Sequence, residues 1–321
     1  MIVTLTPNPA IDWTIHSSNF ERGQLHRADG VKSEASGKGV NVSRALTTNR
    51  VPSKAVVPVG GRYGPIFTAL LEEESVEFLP VPVHGSVRIN VSIVEGDGVA
   101  TKFNAPGPVL APEDGEALVA ATLAAAEVGS WVVASGSLPP GLPADFYAVV
   151  GAGLRAGGRR LALDTSGAAL AAGLAAAPDV VKPNTHELAE VSGRPLTTVG
   201  DVLEAARRLL TLGVGRVLAS MGADGALLVG PDGELHGEAE VPMPISTVGV
   251  GDALLAGYLS GGDAAPERAL AEAIAWASAA LRLPGSQVPQ ITDEHRKLVT
   301  VGRPAVDRRL VQSISTSGRA L

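Results

Sequence analysis

The chain has 321 residues, of which 45% are hydrophobic and only 3% aromatic, and it contains no cysteine. Its formal net charge of -7 argues against a nucleic-acid or anionic-membrane binder, and the lack of cysteine excludes disulfides and thiolate sites. We expect a cytoplasmic protein without a signal peptide or membrane span, built as a large α/β domain with a small accessory one.

Apolar, strand-like runs alternate with helix-like segments along most of the chain. The predicted strands are 2–5, 55–59, 131–134, 160–163, 180–181 and 216–220. The predicted helices are 40–48, 66–74, 113–127, 145–156 and 202–212. This alternation is typical of an α/β fold with a doubly wound, mostly parallel sheet flanked by helices, which binds ligands at the carboxyl ends of its strands.

Two stretches break this alternation. Residues 11–36 are polar and irregular, and residues 87–94 alternate as a half-buried strand that leads through the hairpin sequence Glu95-Gly96-Asp97-Gly98 into 99–104. We predict a small antiparallel β-sheet that forms a lid over the active site, with homodimerisation through its apolar face as a secondary expectation. The predicted main domain comprises 1–11, 37–83 and 106–321, and the predicted lid comprises 12–36 and 84–105. The polar tail from Thr292 is expected to be peripheral.

The stretch 246–257 is the strongest candidate for a catalytic site. Gly249 and Gly251 allow a tight turn, and the apolar helix that follows offers free amide groups to an anion. Asp252 could take a proton from a hydroxyl while the amides of Gly249, Val250 and Gly251 stabilise a transferring phosphoryl group. A helix cap is the alternative role for Asp252. The turn matches neither a Walker loop nor a dinucleotide-binding fingerprint.

A second glycine-rich turn, Gly37-Lys38-Gly39, precedes the predicted helix that carries Asn41. Lys38 could pair with a phosphate or a hydroxyl, and Asn41 could offer both a donor and an acceptor to a sugar. Asp12, which follows the first strand, could either cap a turn or accept hydrogen bonds from sugar hydroxyls.

Polar residues on the predicted lid and beside it could bind a phosphate. Arg88 and Asn90 alternate onto one strand face, where they would clamp a phosphate if the strand closes over a cleft; otherwise the arginine is merely solvated. Ser137 lies in a proline-rich turn after strand 131–134. It either belongs to a rigid turn or binds a phosphate or sugar hydroxyl.

Residues 182–187 leave a strand and enter a helix. Asn184 and Glu187 could be a capping pair, or they could hold Mg²⁺ through water, since this ion prefers a few protein oxygens together with phosphate and water. The turn 220–225 has two glycines that would let a base or ribose lie against the backbone. The six histidines lack metal-ligand spacing.

Taken together and in this order, these stretches resemble the ribokinase/PfkB family of sugar kinases, most closely its phosphosugar branch. The turns around Lys38 and Asp252 carry the resemblance, which extends from Thr4 to about Ser286. The resemblance implies a ribokinase-like fold and ATP- and Mg²⁺-dependent phosphorylation of a phosphosugar. Fructose 1-phosphate is the preferred acceptor, and tagatose 6-phosphate and fructose 6-phosphate are alternatives. From another class, the alternative is a non-catalytic sugar-phosphate sensor.

The resemblance also implies roles for individual residues. The catalytic base and its anion hole would be Asp252, Gly249, Val250 and Gly251. The phosphosugar would contact Asp12, Gly37, Lys38, Asn41, Arg88, Asn90 and Ser137. The nucleotide would contact Lys182, Asn184, Ser220, Gly222 and Gly225. Magnesium would be held by Glu187 and Asn184 through water.

Overall fold

The computed structural model describes residues 1–96, 98–261 and 265–311. Its strands are β1 (Ile2–Leu5), β2 (Ala10–Ser17), β3 (Gly30–Ser36), β4 (Ser53–Val59), β5 (Phe78–Pro82), β6 (Arg88–Glu95), β7 (Ala100–Phe103), β8 (Trp131–Ser135), β9 (Arg160–Asp164), β10 (Val180–Val181), β11 (Arg216–Ser220), β12 (Ala226–Gly230), β13 (Gly233–Ala239) and β14 (Val299–Gly302). Its helices are α1 (Lys38–Thr48), α2 (Gly64–Glu73), α3 (Pro112–Ala125), α4 (Phe146–Ala156), α5 (Gly167–Gly173), α6 (Thr185–Ser192), α7 (Val199–Thr211), α8 (Val250–Ser260), α9 (Pro266–Ala280) and α10 (Asp293–Lys297). Within these residues, no helix combines the length and the hydropathy needed to cross a bilayer.

Ten strands form one large sheet in the order β14-β13-β12-β11-β10-β9-β8-β1-β4-β5. The strands from β11 through to β5 pair in parallel. Alternate strand residues face opposite cores: Val3 and Leu5 pack with helices α3 to α7, whereas Ile2 packs with α1, α8 and α9. The prediction of a doubly wound, mostly parallel sheet flanked by helices is confirmed.

The small sheet has the strand order β3-β2-β6-β7. Its outer pairs, β2 with β3 and β6 with β7, are antiparallel as predicted, but its central pair, β2 with β6, is parallel. The reason is that β2 and β6 follow β1 and β5, which are parallel strands of the large sheet, so both enter the small sheet in the same direction. Strand β2 begins at Ala10, inside the segment assigned to the main domain, and Asp97 of the predicted hairpin lies outside the described residues.

The edge formed by β12, β13 and β14 is not predicted from the sequence. These strands add antiparallel pairs beyond β11. The segment from Thr292, expected to be peripheral, supplies α10 and β14, and Arg308 forms ion pairs with Asp224 at 2.9 Å and Glu238 at 2.6 Å. As far as Val311 the tail is therefore part of the fold, and residues 312–321 lie outside the described residues.

Candidate active site

The predicted catalytic turn lies at the amino end of α8. Gly249 is the N-cap and has a φ of 71°, a left-handed conformation that favours glycine. Asp252 is the third residue of the helix and is buried, so the alternative that it caps the helix is wrong. Because the first amide groups of a helix have no intrahelical carbonyl partner, the amides beside Asp252 are available to an anion.

Asp252 is held by Asn41 from α1. The amide Nδ2 of Asn41 donates to Asp252 Oδ2 over 2.7 Å, and its Oδ1 accepts from Arg44 Nη1 over 2.9 Å. Each end of the amide thus makes one hydrogen bond within the protein, and one further N–H and one further lone pair are left for the predicted contact with a sugar. Burial, with help from the charge of Asp164, raises the pKa of Asp252 to about 6, although Lys38, Asn41 and Lys182 act to lower it. A carboxyl group with this pKa is ionised near neutrality and still basic enough to accept a proton.

Lys38 is placed by Gly37, the N-cap of α1. A Cβ on Gly37 would lie 2.7 Å from Thr6 Cγ2 and 3.3 Å from Pro9 Cα, and the φ of Gly37 is 133°. Both the packing and the backbone conformation therefore require glycine. This turn places Lys38 in the candidate active site.

A buried carboxylate joins the two predicted lysines. Lys38 Nζ lies 2.6 Å from Asp164 Oδ1 and 3.7 Å from Glu187 Oε1, and Lys182 Nζ lies 3.2 Å from Asp164 Oδ2. Burial acts to raise the pKa of Asp164, but Lys182 and Lys38 lower it overall. Burial acts to lower the pKa of Lys38, but Asp164, Glu187 and Asp252 raise it overall. Asp164 and Lys38 thus stay charged, and Lys38 is already paired before any phosphate binds.

Asp164 is a site residue that the sequence analysis did not single out. It is the last residue of β9 and is almost fully buried. Its position follows the same rule that selected the other candidates, since a polar side chain at the carboxyl end of a buried parallel strand points to a ligand site. The pattern was present in the sequence, and only the pairing with Lys38 and Lys182 needed the structure.

The predicted sugar-binding residues on the small sheet and after β8 form a second group. Asp12 lies inside β2 rather than in a turn, and its Oδ1 accepts from Asn90 Nδ2 on the neighbouring strand β6 over 2.8 Å. Asn8 Nδ2 donates to Ser137 Oγ over 3.2 Å. Asn8 was not predicted, and it connects the turn after β1 with the turn after β8.

Arg88 is bound to backbone rather than projecting freely. Its Nη1 donates to the carbonyl of Ala105 over 2.5 Å and its Nη2 to the carbonyl of Asn8 over 3.1 Å. Burial lowers the pKa of Arg88, against the opposing charge of Asp12. A phosphate clamp at Arg88 would therefore use the remaining donors of the guanidinium or exchange one of these bonds.

The predicted nucleotide-side residues surround the start of α6. Asn184 is the N-cap: its Oδ1 accepts from the amide of Glu187 over 2.8 Å, and Glu187 Oε2 accepts from the amide of Asn184 over 2.9 Å. The capping-pair alternative therefore holds for these two residues. Asn184 also forms a β-bridge with Ser220, which precedes the short 3₁₀ helix Gly222–Asp224 and Gly225.

The donor set suits a loosely held magnesium ion. Among the described residues, no three His, Cys, Asp or Glu side chains form a metal cluster. Glu187 Oε1 and the carboxylate of Asp164 both face Lys38 and supply the hard oxygens that Mg²⁺ prefers. The residues fit an ion bound mainly through phosphate and water rather than a preformed protein cage.

Comparison with known proteins agrees with this geometry. A sequence model of the pfkB family of carbohydrate kinases matches residues 7–293. The chain is 36% identical over 261 residues to the 1-phosphofructokinase of Bacillus subtilis (strain 168), covering 81% of this chain and 85% of the relative. It is 40% identical over 262 residues to the 1-phosphofructokinase of Rhodobacter capsulatus, covering 80% and 82%.

Solved structures give the same result. The phosphofructokinase-2 of Escherichia coli in complex with potassium superimposes with a TM-score of 0.87 at 30% identity, covering 92% of this chain and 97% of that one. A ribokinase of Thermotoga maritima gives a TM-score of 0.72 at 19% identity, a likeness that concerns the fold alone. The chain therefore belongs to the pfkB family of carbohydrate kinases and is a phosphotransferase that uses ATP to phosphorylate a hydroxyl group of a sugar.

Proposed function

We propose that this sugar kinase transfers the γ-phosphoryl group of ATP to the 6-hydroxyl of fructose 1-phosphate, giving fructose 1,6-bisphosphate. The observation that carries the proposal is the buried carboxylate of Asp252, which has a pKa of about 6 and lies in the first turn of α8. The relatives named 1-phosphofructokinase, at 36% and 40% identity, support fructose 1-phosphate as the acceptor.

The reaction is a direct in-line transfer. Asp252 accepts the proton of the 6-hydroxyl, the sugar oxygen bonds to the γ-phosphorus, and the bond from that phosphorus to the bridging oxygen of ADP breaks. The amides of Gly249, Val250 and Gly251 stabilise the charge on the phosphoryl oxygens. Closure of the lid excludes water that would otherwise hydrolyse ATP.

Lys182 adds positive charge next to this turn. A Cβ on Gly251 would lie 3.2 Å from Lys182 Nζ, so the absence of a side chain on Gly251 brings the ammonium close to the turn. Magnesium, held by Glu187 and Asn184 through water, would neutralise charge on the ATP phosphates. The nucleotide itself would lie against Ser220, Gly222 and Gly225.

The phosphosugar would occupy the space between α1, the lid strands and the turn after β8. Its hydroxyls would meet Asp12, Asn90 and Ser137, and its phosphate would meet Lys38 and Arg88, beside the turn at Gly37. Asn41 would contact the sugar with its second amide N–H or its second oxygen lone pair, while it continues to hold Asp252.

A substrate panel tests the proposal. We expect ADP release to be fastest with fructose 1-phosphate, compared with fructose 6-phosphate, tagatose 6-phosphate and unphosphorylated fructose. Lys38→Ala should raise KM for the phosphosugar more than KM for ATP, because the lysine is proposed to meet the sugar phosphate. Faster ADP release with fructose 6-phosphate or tagatose 6-phosphate would show that fructose 1-phosphate is the wrong acceptor. Sugar binding without ADP release would indicate the non-catalytic sensor.

The pH dependence of turnover follows from Asp252. Its pKa in the folded protein is about 6, and a protonated carboxyl group cannot accept the hydroxyl proton. We expect kcat to be constant above neutrality and to fall about tenfold per pH unit below pH 6. Because sugar phosphates themselves titrate near pH ~6, the measurement should use kcat at saturation rather than kcat/KM. A kcat that stays constant down to pH ~5 would contradict the assignment of the base.

We also propose that the small sheet is a lid that joins two copies of the chain in the cytoplasm. Its strands expose Trp13, Val31 and Phe103, and an apolar face of this kind is normally covered. Light scattering at the concentration of the activity assay measures the molar mass and tests this proposal. The mass of a single chain would contradict the dimer but would not affect the proposed kinase activity.

A further inference from the structure

The guanidinium of Arg44 contacts Asn41, the residue that donates to the proposed catalytic base Asp252. Arg44 belongs to α1, one turn after Asn41, and is only 5% exposed. Its Nη1 donates to Asn41 Oδ1 over 2.9 Å and to Ser286 Oγ over 2.8 Å, and its Nε donates to Glu74 Oε2 over 2.9 Å. Its Nη2 donates to the carbonyl of Ala35. One planar side chain thus joins α1 to three other parts of the chain.

The contact with Asn41 decides which way that amide faces. Arginine can only donate hydrogen bonds, so the group that meets Arg44 must be the amide oxygen of Asn41. The amide nitrogen therefore faces Asp252 Oδ2, to which it donates over 2.7 Å. In the reverse orientation, the amide oxygen would meet a carboxylate oxygen, and the two would repel each other.

The contact with Ser286 reaches the anion-binding turn. A Cβ on Gly249 would lie 2.6 Å from Ser286 Cβ and 3.0 Å from Ser286 Cα, so Ser286 packs directly against this glycine. The contact with Ala35 reaches the end of the lid strand β3, just before Gly37 and Lys38. Arg44 therefore touches the support of the base, the wall of the turn and the end of the lid.

We propose that Arg44 is a positioning residue, which orients Asp252 through Asn41 and the Gly249 turn through Ser286, and ties both to lid strand β3. This proposal rests on the role of Asp252 as the base. It requires the planar fork of arginine rather than a positive charge alone, because the partners lie in different directions around the guanidinium.

Two variants separate geometry from charge. Arg44→Lys keeps a positive charge but replaces the fork with a single ammonium. The double variant Arg44→Met with Glu74→Gln removes both charged partners of the ion pair, so that no unpaired carboxylate is left behind. Arg155→Met is the control: Arg155 also donates to backbone carbonyls, of Ala176 and Ala177, but the arginine and these carbonyls lie before the amino ends of β9 and β10, away from the candidate site at the carboxyl ends.

We expect kcat to fall roughly 10- to 100-fold in Arg44→Lys and in the double variant, with a much smaller change in both KM values. The acid limb of the kcat profile should move to higher pH, because Asp252 loses an oriented donor. The charged groups around Asp252, namely Asp164, Lys38 and Lys182, are unchanged in these variants. Arg155→Met should match the wild type in both kcat and acid limb.

Thermal unfolding, followed by circular dichroism, completes the test. A lower kcat with an unmoved acid limb and a lower Tm would show a merely structural role and overturn the proposal. Full activity in Arg44→Lys would also overturn it, because charge alone would then suffice. If Asp252→Asn keeps wild-type turnover, the base itself is wrong; if that variant is inactive while the Arg44 variants have normal kcat and acid limb, only the positioning role is wrong.

Discussion

Replacement of Asp252 by asparagine is expected to lower kcat by roughly 10²–10⁴, the usual contribution of a general base. The amide can still accept the hydrogen bond that Asn41 now donates over 2.7 Å, so the geometry of the turn should survive. It cannot take up the hydroxyl proton. KM for the sugar and for ATP should change little, and kcat/KM should fall with kcat, as expected for an interaction made in the transition state.

The stability of the same variant provides an independent check. The folded state raises the pKa of Asp252 from 3.8 to about 6, so between these values it binds more protons than the unfolded state. This contribution to the free energy of unfolding therefore falls as pH rises through that range. Asp252→Asn lacks this dependence, and its stability relative to the wild type should increase between pH ~4 and pH ~7, as measured by urea unfolding.

A second aspartate in the first turn of a helix serves as the control for the turnover measurement. Asp201 lies at the start of α7, where its Oδ2 accepts from the amides of Thr197 and Thr198. These hydrogen bonds lower its pKa to about 2. Asp201→Asn should leave kcat unchanged. Wild-type turnover in Asp252→Asn, together with an intact acid limb, would assign the base to another residue.

The sequence was sufficient for the centre of the fold because the central strands are apolar runs with sharp ends. The segments 2–5, 180–181 and 216–220 agree with β1, β10 and β11 residue for residue. Strands β13 and β14 are different, since they contain charged or polar residues and glycine and lie at the edge of the sheet. Their extended conformation depends on pairing with a neighbour, which a local pattern does not record.

In the candidate site, too, some residues can be recognised from the local sequence and others only from their contacts in the fold. Lys38 and Asp252 stand in glycine-rich turns, where the backbone conformation itself points to a ligand. Arg44 is an ordinary helical arginine in the sequence, and its contacts with Ser286, Glu74 and Ala35 outside α1 become visible only in the folded chain. The structure places the predicted site residue Asn41 beside Asp252, which is 211 positions away along the chain, and no local pattern could identify that partner.

Gly249→Ala is expected to lower kcat by roughly 10²–10³, the typical effect of losing one donor of an oxyanion hole. Two causes combine at this position. The φ of 71° is unfavourable for any residue with a Cβ, and the added Cβ would lie 2.6 Å from Ser286 Cβ and 3.0 Å from its Cα. Backbone atoms of Ser286 cannot move aside as a flexible side chain would. The turn must shift, and the amides of Val250 and Gly251 shift with it.

The control for this prediction is Gly129→Ala, which separates backbone strain from displacement of the turn. Gly129 has a similar φ of 78°, has no atom within 4 Å of its Cβ position, and lies just before the amino end of β8, away from the candidate site at the carboxyl ends of the strands. Both variants should lose about 1 kcal/mol of stability from the left-handed backbone, and only Gly249→Ala should lose turnover. Equal kcat values in the two variants would mean that the amides beside Asp252 do not stabilise the transferring phosphoryl group. In that case, Lys182 and the bound ion would have to supply that charge stabilisation alone.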